Sequence, residues 1–177
     1  MAKMIVIREQ YCLGCKTCVI ECAMAHADGA NLAEALRSES KPHPRIHVEP
    51  VGKFGMPLQC RHCQDAPCMM VCPTQAIGRL NQESPVLLDA GRCIGCKMCL
   101  IVCPFGVIDL SRDGKAMIKC DLCIVRTAAG LEPACVAACP TGALTFEEVD
   151  EFIKQRRRVA GEQLVAAKAT EGKKGEK

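Results

Sequence analysis

An α+β fold held together by buried sulfur more than by aromatic packing is what this 177-residue sequence predicts, and three observations lead there. Sixteen cysteines fall into four separated groups of four. Short runs of strand character, Ile5-Val6-Ile7, Val86-Leu87-Leu88 and Ala116-Met117-Ile118, enter the first, third and fourth groups, with room for a short helix at each. The usual large core residues are scarce: there is no tryptophan, Tyr11 is the only tyrosine, and phenylalanine occurs four times.

The groups are Cys12, Cys15, Cys18, Cys22; Cys60, Cys63, Cys68, Cys72; Cys93, Cys96, Cys99, Cys103; and Cys120, Cys123, Cys135, Cys139. In three of them the last cysteine is followed by proline; in the first, Ala23 stands there. The first and third groups carry the spacing C-x2-C-x2-C-x3-C, the bacterial ferredoxin pattern of thiolate ligands to [4Fe-4S] clusters. Sixteen thiolates at four per cluster predict four such clusters. Gly14 and Gly95 occupy the tight part of Cys-x-x-Cys turns, where a missing side chain lets backbone amides approach cluster sulfur. Metal ligation then supplies folding free energy that a core so poor in aromatics lacks.

The formal charge of +3 counts the cysteines as neutral. Each oxidised cluster with its four thiolates adds about −2, so the loaded chain sits near −5. That weakens any nucleic-acid reading, and the run Arg156-Arg157-Arg158 has no interleaved aromatic residue and reads as a solvated helix face. Separated zinc sites fit the spacing less well than ferredoxin loops. A disulfide scaffold would need a secretory route, whereas Met1–Arg8 shows no leader-like apolar stretch. A reducing cytoplasm is the expected compartment, with any membrane association coming through a partner.

Between Cys22 and Cys60 the sequence suggests a loop or short helix and then a strand at Ile46-His47-Val48-Glu49, closed by Pro50 and Gly52. Cys-Pro followed by small residues and an apolar stretch recurs after Cys72, Cys103 and Cys139, marking an internal repeat. The last cysteine of each group is expected to begin or sit on a short helix, its proline fixing the chain direction.

The four groups, in this order over residues 3 to 146, resemble the four-cluster, ferredoxin-like electron-transfer subunits of molybdenum oxidoreductases, formate dehydrogenases, hydrogenases and carbon monoxide dehydrogenase systems. The resemblance implies two nested dicluster ferredoxin-like modules. Residues 1–50 and 115–146 form the outer one, 51–114 the inserted one, and 147–177 a helical extension with a flexible tail. In a dicluster module the last cysteine of one group crosses to the partner cluster. The inserted module then uses Cys60, Cys63, Cys68 with Cys103, and Cys93, Cys96, Cys99 with Cys72. The outer one uses Cys12, Cys15, Cys18 with Cys139, and Cys120, Cys123, Cys135 with Cys22.

Four thiolates per cluster leave no open iron position and no paired carboxylates stand out, so the expected function is electron transfer between proteins, not catalysis. The segments Cys12-Leu13-Gly14-Cys15-Lys16-Thr17-Cys18, Glu21 to His26, Pro44 to Val48 and Gln59 to Cys68 look like the iron-sulfur protein associated with anaerobic carbon monoxide dehydrogenase. That implies transfer from that enzyme to a hydrogenase or another reductase. Subunits joining formate dehydrogenase to hydrogenase share much of the pattern, and a non-redox metal-binding module is the bland alternative. The longer loop Arg126–Glu132 inside the fourth group is a candidate contact surface.

His62 either tunes a cluster, orders its turn or lies at the surface; His26 is ambiguous; His43 and His47 read as surface residues. Asp65 and Asp121 read as loop organisers or partner contacts, and Met24, Met69, Met70 and Met98 as apolar packing beside the clusters. After Phe146, Glu147-Glu148 should open a helix with Val149, Phe152, Ile153, Val159 and Ala160 on one face, weakened at Gly161, before a mobile Lys168–Lys177 tail.

Anaerobically reconstituted protein is expected to bind four irons for each of four clusters, with visible absorbance that bleaches on reduction; a colourless, zinc-loaded product would contradict the cysteine reading.

Overall fold

A computed structural model describes residues 3–29, 31–39 and 41–172, with side chains to 166. It divides into two compact units, Ile5–Phe146 and a second that gathers the described residues before Ile5 and after Phe146. The first unit is α+β, and among the described residues every sheet has two strands.

The element order begins with β1 (Lys3–Ile7), followed by α1 (Thr17–Ala25) and the short α2 (Leu32–Arg37). Asn31 caps α2 by accepting from the Glu34 amide at 3.0 Å. β2 (Ile46–Val51) and β3 (Phe54–Gln59) follow as an antiparallel hairpin turning through Gly52, whose φ is +59°. Here the strand does not close at Pro50: Pro50 lies within β2 opposite Gly55, and Pro57 lies within β3 opposite Val48. The prolines hid this hairpin from the sequence pattern, yet the outer strands of a two-stranded ribbon lack a ladder partner and tolerate a missing N–H.

The middle of the chain repeats a helix–strand pattern. α3 (Pro67–Met70) precedes β4 (Ile77–Gly78), which pairs with β5 (Leu87–Leu88); α4 (Met98–Val102) precedes β6 (Ile108–Leu110), which pairs with β7 (Met117–Lys119). α5 (Ile124–Ala128) and α6 (Ala134–Ala137) lead to β8 (Leu144–Glu148), which pairs back onto β1. Arg8 reinforces that closure, its amide donating to Ala143 O at 2.8 Å and its guanidinium to Thr145 Oγ1 at 2.6 Å.

Two apolar cores result. One takes residues from both ends of the unit: Ile5, Cys18, Cys22, Ile46, Val48, Cys135, Val136 and Leu144. The other comes from the middle alone: Ala66, Cys68, Ile77, Val86, Cys99, Ile108 and Met117. Met117 belongs to this middle core although it lies past residue 114, so the chain crosses between the two cores through β7. Met69 packs against the middle core, whereas Met70 and Met98 are exposed.

Beyond the first unit, α7 (Val149–Gly172) is one helix of 24 residues. Glu147 and Glu148 end β8 instead of opening the helix, and Asp150 and Glu151 supply the acidic first turn that suits the helix dipole. Gly161 does not interrupt it. Pairs Glu151–Lys154 and Arg158–Glu162 support the helix locally, at 3.8 and 3.0 Å. The expected mobile tail begins in a stretch that is helical to Gly172; the rest lies outside the described residues. No helix among the described residues is long and apolar enough to cross a membrane.

The first cysteine loop rests on the β2–β3 hairpin at a glycine–glycine contact. A Cβ on Gly55 would stand 2.8 Å from Gly14 Cα and 3.2 Å from Cys12 Sγ, where the obstacle is backbone that cannot swing away. Gly55→Ala should cost about 1–3 kcal/mol and disturb the metal site that Cys12 lines. Gly78→Ala, with nothing within 4 Å of its new methyl, should stay within about 0.5 kcal/mol of wild type; thermal melts of the loaded proteins check both.

Candidate metal centres

Each cysteine group opens in the same way. The first two cysteines embrace a turn whose second inner residue is left-handed: Gly14 (φ +68°), His62 (+48°), Gly95 (+64°) and Leu122 (+60°). Two of the four positions therefore use a side chain where glycine is cheapest, at a cost of about 1–2 kcal/mol each, and the turn is retained. This conformation aims the inner amide back at the first sulfur. The His62 and Leu122 amides lie 3.4 Å from Cys60 Sγ and Cys120 Sγ. From farther along the chain, the Arg45 amide donates to Cys22 Sγ at 3.3 Å and the Met117 amide to Cys93 Sγ at 3.4 Å.

The third cysteines, Cys18, Cys68, Cys99 and Cys135, ride on the short helices α1, α3, α4 and α6. The fourth ones differ from expectation. Only Cys22 lies inside a helix; Cys103 caps α4 at its C-terminal end, and Cys72 and Cys139 fall just past α3 and α6. Helices of about one turn are too short to carry residues spaced four apart. The proline then sends the chain into the next strand.

Sulfurs from different groups converge. One concavity is lined by Cys12, Cys15, Cys18 and Cys139, with Leu13, Val48 and Pro57 among its walls. Another is lined by Cys60, Cys63, Cys68 and Cys103, with His62, Val86 and Phe105. Electrostatics report the same neighbourhoods. As a free thiol Cys18 is pushed up to about 11 by burial and then by the charges of Cys139, Cys15 and Cys12. Cys135 is pushed up further by burial and then by Cys22, Cys120 and Cys123. Burial raises Cys68, with Cys60 and Cys103 adding to it, and burial raises Cys99 to about 11, with Cys68, Cys93 and Cys96 adding to it. Buried sulfurs gathered this way cannot ionise together without a positive charge among them. Soft thiolates in fours, with amide donors aimed at sulfur, are the donor set of an iron–sulfur cluster.

Polar side chains grip this sulfur framework. Thr17 Oγ1 donates to Cys15 Sγ at 3.4 Å, and the hydroxyls of Thr74 and Thr141 lie 3.7 and 3.8 Å from Cys72 and Cys139. The repeated Cys-Pro-Thr was the sequence signal for the last two. Asp121 binds distant parts of the chain together, its carboxylate meeting Arg45 Nη1 at 2.6 Å, His26 Nε2 at 3.0 Å and the Cys123 amide at 3.0 Å. His26 also reaches Cys22 O through Nδ1 at 2.7 Å. Burial alone would lower its pKa, but the bonds to Asp121, Cys123 and Cys22 outweigh it and raise it to about 12. Asp121 falls well below the usual carboxylate range because these bonds and Arg45 overcome burial. His26, Asp121 and Cys123 present ligand atoms within 4.8 Å of one another, but a charged imidazole in an ion pair with Asp121 is a clamp, not a ligand.

His62 is not a surface histidine. It lines the Cys60 concavity, pairs through Nδ1 with Val86 O at 3.1 Å, and is lowered to about 3 by burial and then by Lys119. It is neutral. His43 and His47 are half-buried and share Asp109, each Nε2 lying 3.2 Å from Oδ2. The sequence offered no signal for that pairing, since Asp109 lies on β6, more than sixty residues away.

The profile of the 4Fe-4S dicluster domain matches residues 52–149, and that of a 4Fe-4S binding domain matches residues 9–25. The chain belongs to the 4Fe-4S dicluster family of iron–sulfur proteins, and four [4Fe-4S] clusters are its cofactors. Among its relatives, an "Iron-sulfur protein" of Rhodospirillum rubrum is 38% identical over 161 residues, covering 84% of this chain and 83% of the relative. The "Electron transport protein HydN" of Escherichia coli K12 is 35% identical over 179 residues, covering 90% and 98%. The "Thiosulfate reductase electron transfer subunit PhsB" of Salmonella typhi is 36% identical over 149 residues, covering 84% and 77%.

Two outcomes follow from the site. Asp121→Asn removes the charge that holds Arg45 and His26, and should lower the unfolding free energy of the loaded protein by about 1–3 kcal/mol, read from denaturant midpoints. Stripping iron with a chelator under reducing conditions should abolish the cooperative melt, because the thiols left behind repel or protonate and add nothing to the fold.

Proposed function

We propose that this chain is an electron wire with four stations, each station being one of the cysteine sets given by the crossed assignment: Cys12, Cys15, Cys18, Cys139; Cys22, Cys120, Cys123, Cys135; Cys60, Cys63, Cys68, Cys103; and Cys72, Cys93, Cys96, Cys99. When bound, each cluster supplies a one-electron couple and needs no substrate bond at a side chain. The observation that carries the proposal is the order of the sulfurs. Cys135 feels Cys18, Cys120 feels Cys22 and Cys60, and Cys99 feels Cys68. Those three junctions string the sets in a line and leave two ends.

The ends are the places where sulfur reaches the surface, since Cys15 and Cys96 are the exposed members of the sixteen. Exposed apolar residues adjoin each in sequence, Tyr11 and Leu13 near Cys15 and Ile94 and Met98 near Cys96. Such patches suit docking of redox proteins, where short distance to the outermost sulfur governs transfer. In between, Cys22, Cys120, Cys123 and Cys135 are all buried, which keeps water from that station, while the Cys60 station is partly open, with Cys60, Cys63 and Cys103 half-buried. The module boundaries at 50/51, 114/115 and 146/147 belong to the same proposal, supported by one core drawn from both ends and another drawn mostly from the middle, although Met117 of that core lies past 114 and the β2–β3 hairpin runs across 50/51.

The chain transfers electrons as a non-catalytic partner of oxidoreductases, in keeping with relatives named as electron transport proteins and electron-transfer subunits. For the particular partner, the segments from Cys12 to Cys68 favour anaerobic carbon monoxide dehydrogenase as donor and a hydrogenase or other reductase as acceptor, with a formate dehydrogenase–hydrogenase pair as the second reading. The name of PhsB adds thiosulfate reductase as a kind of partner within the family. Anaerobic isolation of the native complex identifies the companion. Stopped-flow reduction should be fast with carbon monoxide and its dehydrogenase and slow with formate and its dehydrogenase; the reverse overturns the first reading in favour of the second. Cys96→Ser should perturb the EPR signal of one cluster and slow delivery at that end, leaving the other three signals intact.

A further inference from the structure

Lys119 is 4% exposed, the one buried cation among the described core residues. It closes β7, immediately before Cys120, and its side chain turns inward. Nζ donates to Val86 O and, at 2.9 Å, to Cys120 O. No carboxylate pairs with it among the described residues. A buried ammonium with two carbonyl partners and no counter-charge is several kcal/mol unfavourable on general grounds, so something negative must offset it.

The surroundings show what that is. Val86 O, which Lys119 holds, also receives His62 Nδ1, and His62 and Val86 line the concavity of Cys60, Cys63, Cys68 and Cys103. Cys120, which Lys119 holds from the other side, belongs to the set with Cys22, Cys123 and Cys135, and that set meets Cys60. Lys119 therefore lies at the junction of the two middle stations. Each loaded station carries about −2 in its oxidised state and one charge more when reduced.

We infer that Lys119 is the shared counter-ion of the two middle clusters, raising their reduction potentials and favouring the electron's stay at the centre of the wire. The inference rests on the ligand sets of the proposed wire. A fixed cation beside a cluster stabilises the more negative, reduced state, so removing it moves the potential downward. Nζ reaches both stations, one through Val86 O on the wall of the Cys60 concavity and the other through Cys120 O. His62 is neutral, and the other cations near the Cys60 station are Arg79, which donates to Cys63 O, and Arg61, which lines the concavity over the Phe105 ring. Asp121 faces the junction from the Cys120 side, but Arg45 and His26 already hold its charge.

EPR-monitored redox titration of the full, four-cluster chain tests this with Lys119→Met, Lys119→Gln and Lys119→Arg. Glutamine keeps a donor without the charge, and arginine keeps the charge. Both neutral variants should shift the occupancy of one middle cluster at least tenfold toward the oxidised form at fixed potential, which is about 59 mV for a one-electron couple; arginine should restore it. Loss of middle clusters from both neutral variants but not from the arginine variant also supports the counter-ion role. Unchanged potentials in a four-cluster neutral variant overturn it, as does equal cluster loss in all three. Fewer than four clusters in the wild-type chain would instead defeat the wire itself, and iron analysis of that chain tells the two failures apart.

Discussion

Sulfurs that burial gathers into fours repel one another as thiolates and bond weakly as thiols, and this tension organises the molecule. Cys18, Cys99, Cys120 and Cys135 all resist ionisation where they sit, burial being the first cause in every case. Iron resolves the conflict by putting positive charge where the sulfurs converge. The two cores consist in good part of the ligands themselves, so ligand and packing residue are the same atom group. A chain with no tryptophan and one tyrosine can fold on those terms.

The protein's own contribution is to place donors and charges around each sulfur quartet. The left-handed turns at His62 and Leu122 direct amides at the first sulfur, threonine hydroxyls approach the last cysteine of two groups, and the Asp121 clamp ties the Cys22 helix to the Cys120 loop. These contacts differ from station to station. Gly14 and Gly95 keep two turns free of strain while His62 and Leu122 do not, and the imidazole of His62 lines one quartet while that of His26 stands against Cys22 and Cys123 of another. Unequal surroundings are a general means by which proteins set the potentials of chemically equivalent clusters apart.

The cysteines, their turns and most strands were legible in the sequence because their signals are local: spacing, glycine, alternation. Three features were not. The β2–β3 hairpin carries a proline in each strand, which reads as a stop unless one knows the ribbon has free edges. The 24-residue α7 passes through Gly161 because one glycine costs only about 1 kcal/mol. Lys119, Asp121 and Asp109 take their roles from partners far along the chain, Val86, His26 and His43, and no local pattern encodes such pairings. Residue type was visible in each case; the neighbour was not.

The pairing of β1 with β8 has a temporal meaning as well. The core beneath it needs Ile5 and Cys18 from the beginning of the chain together with Cys135 and Leu144 from near its end. During synthesis, the ribosome releases everything the middle core requires, Ala66 to Met117, before it makes Cys135. Iron can therefore be loaded from the inside outward, and the nascent N-terminal thiols must wait, exposed, for partners not yet translated. Oxygen met during that wait would strike the first cysteine group before any other.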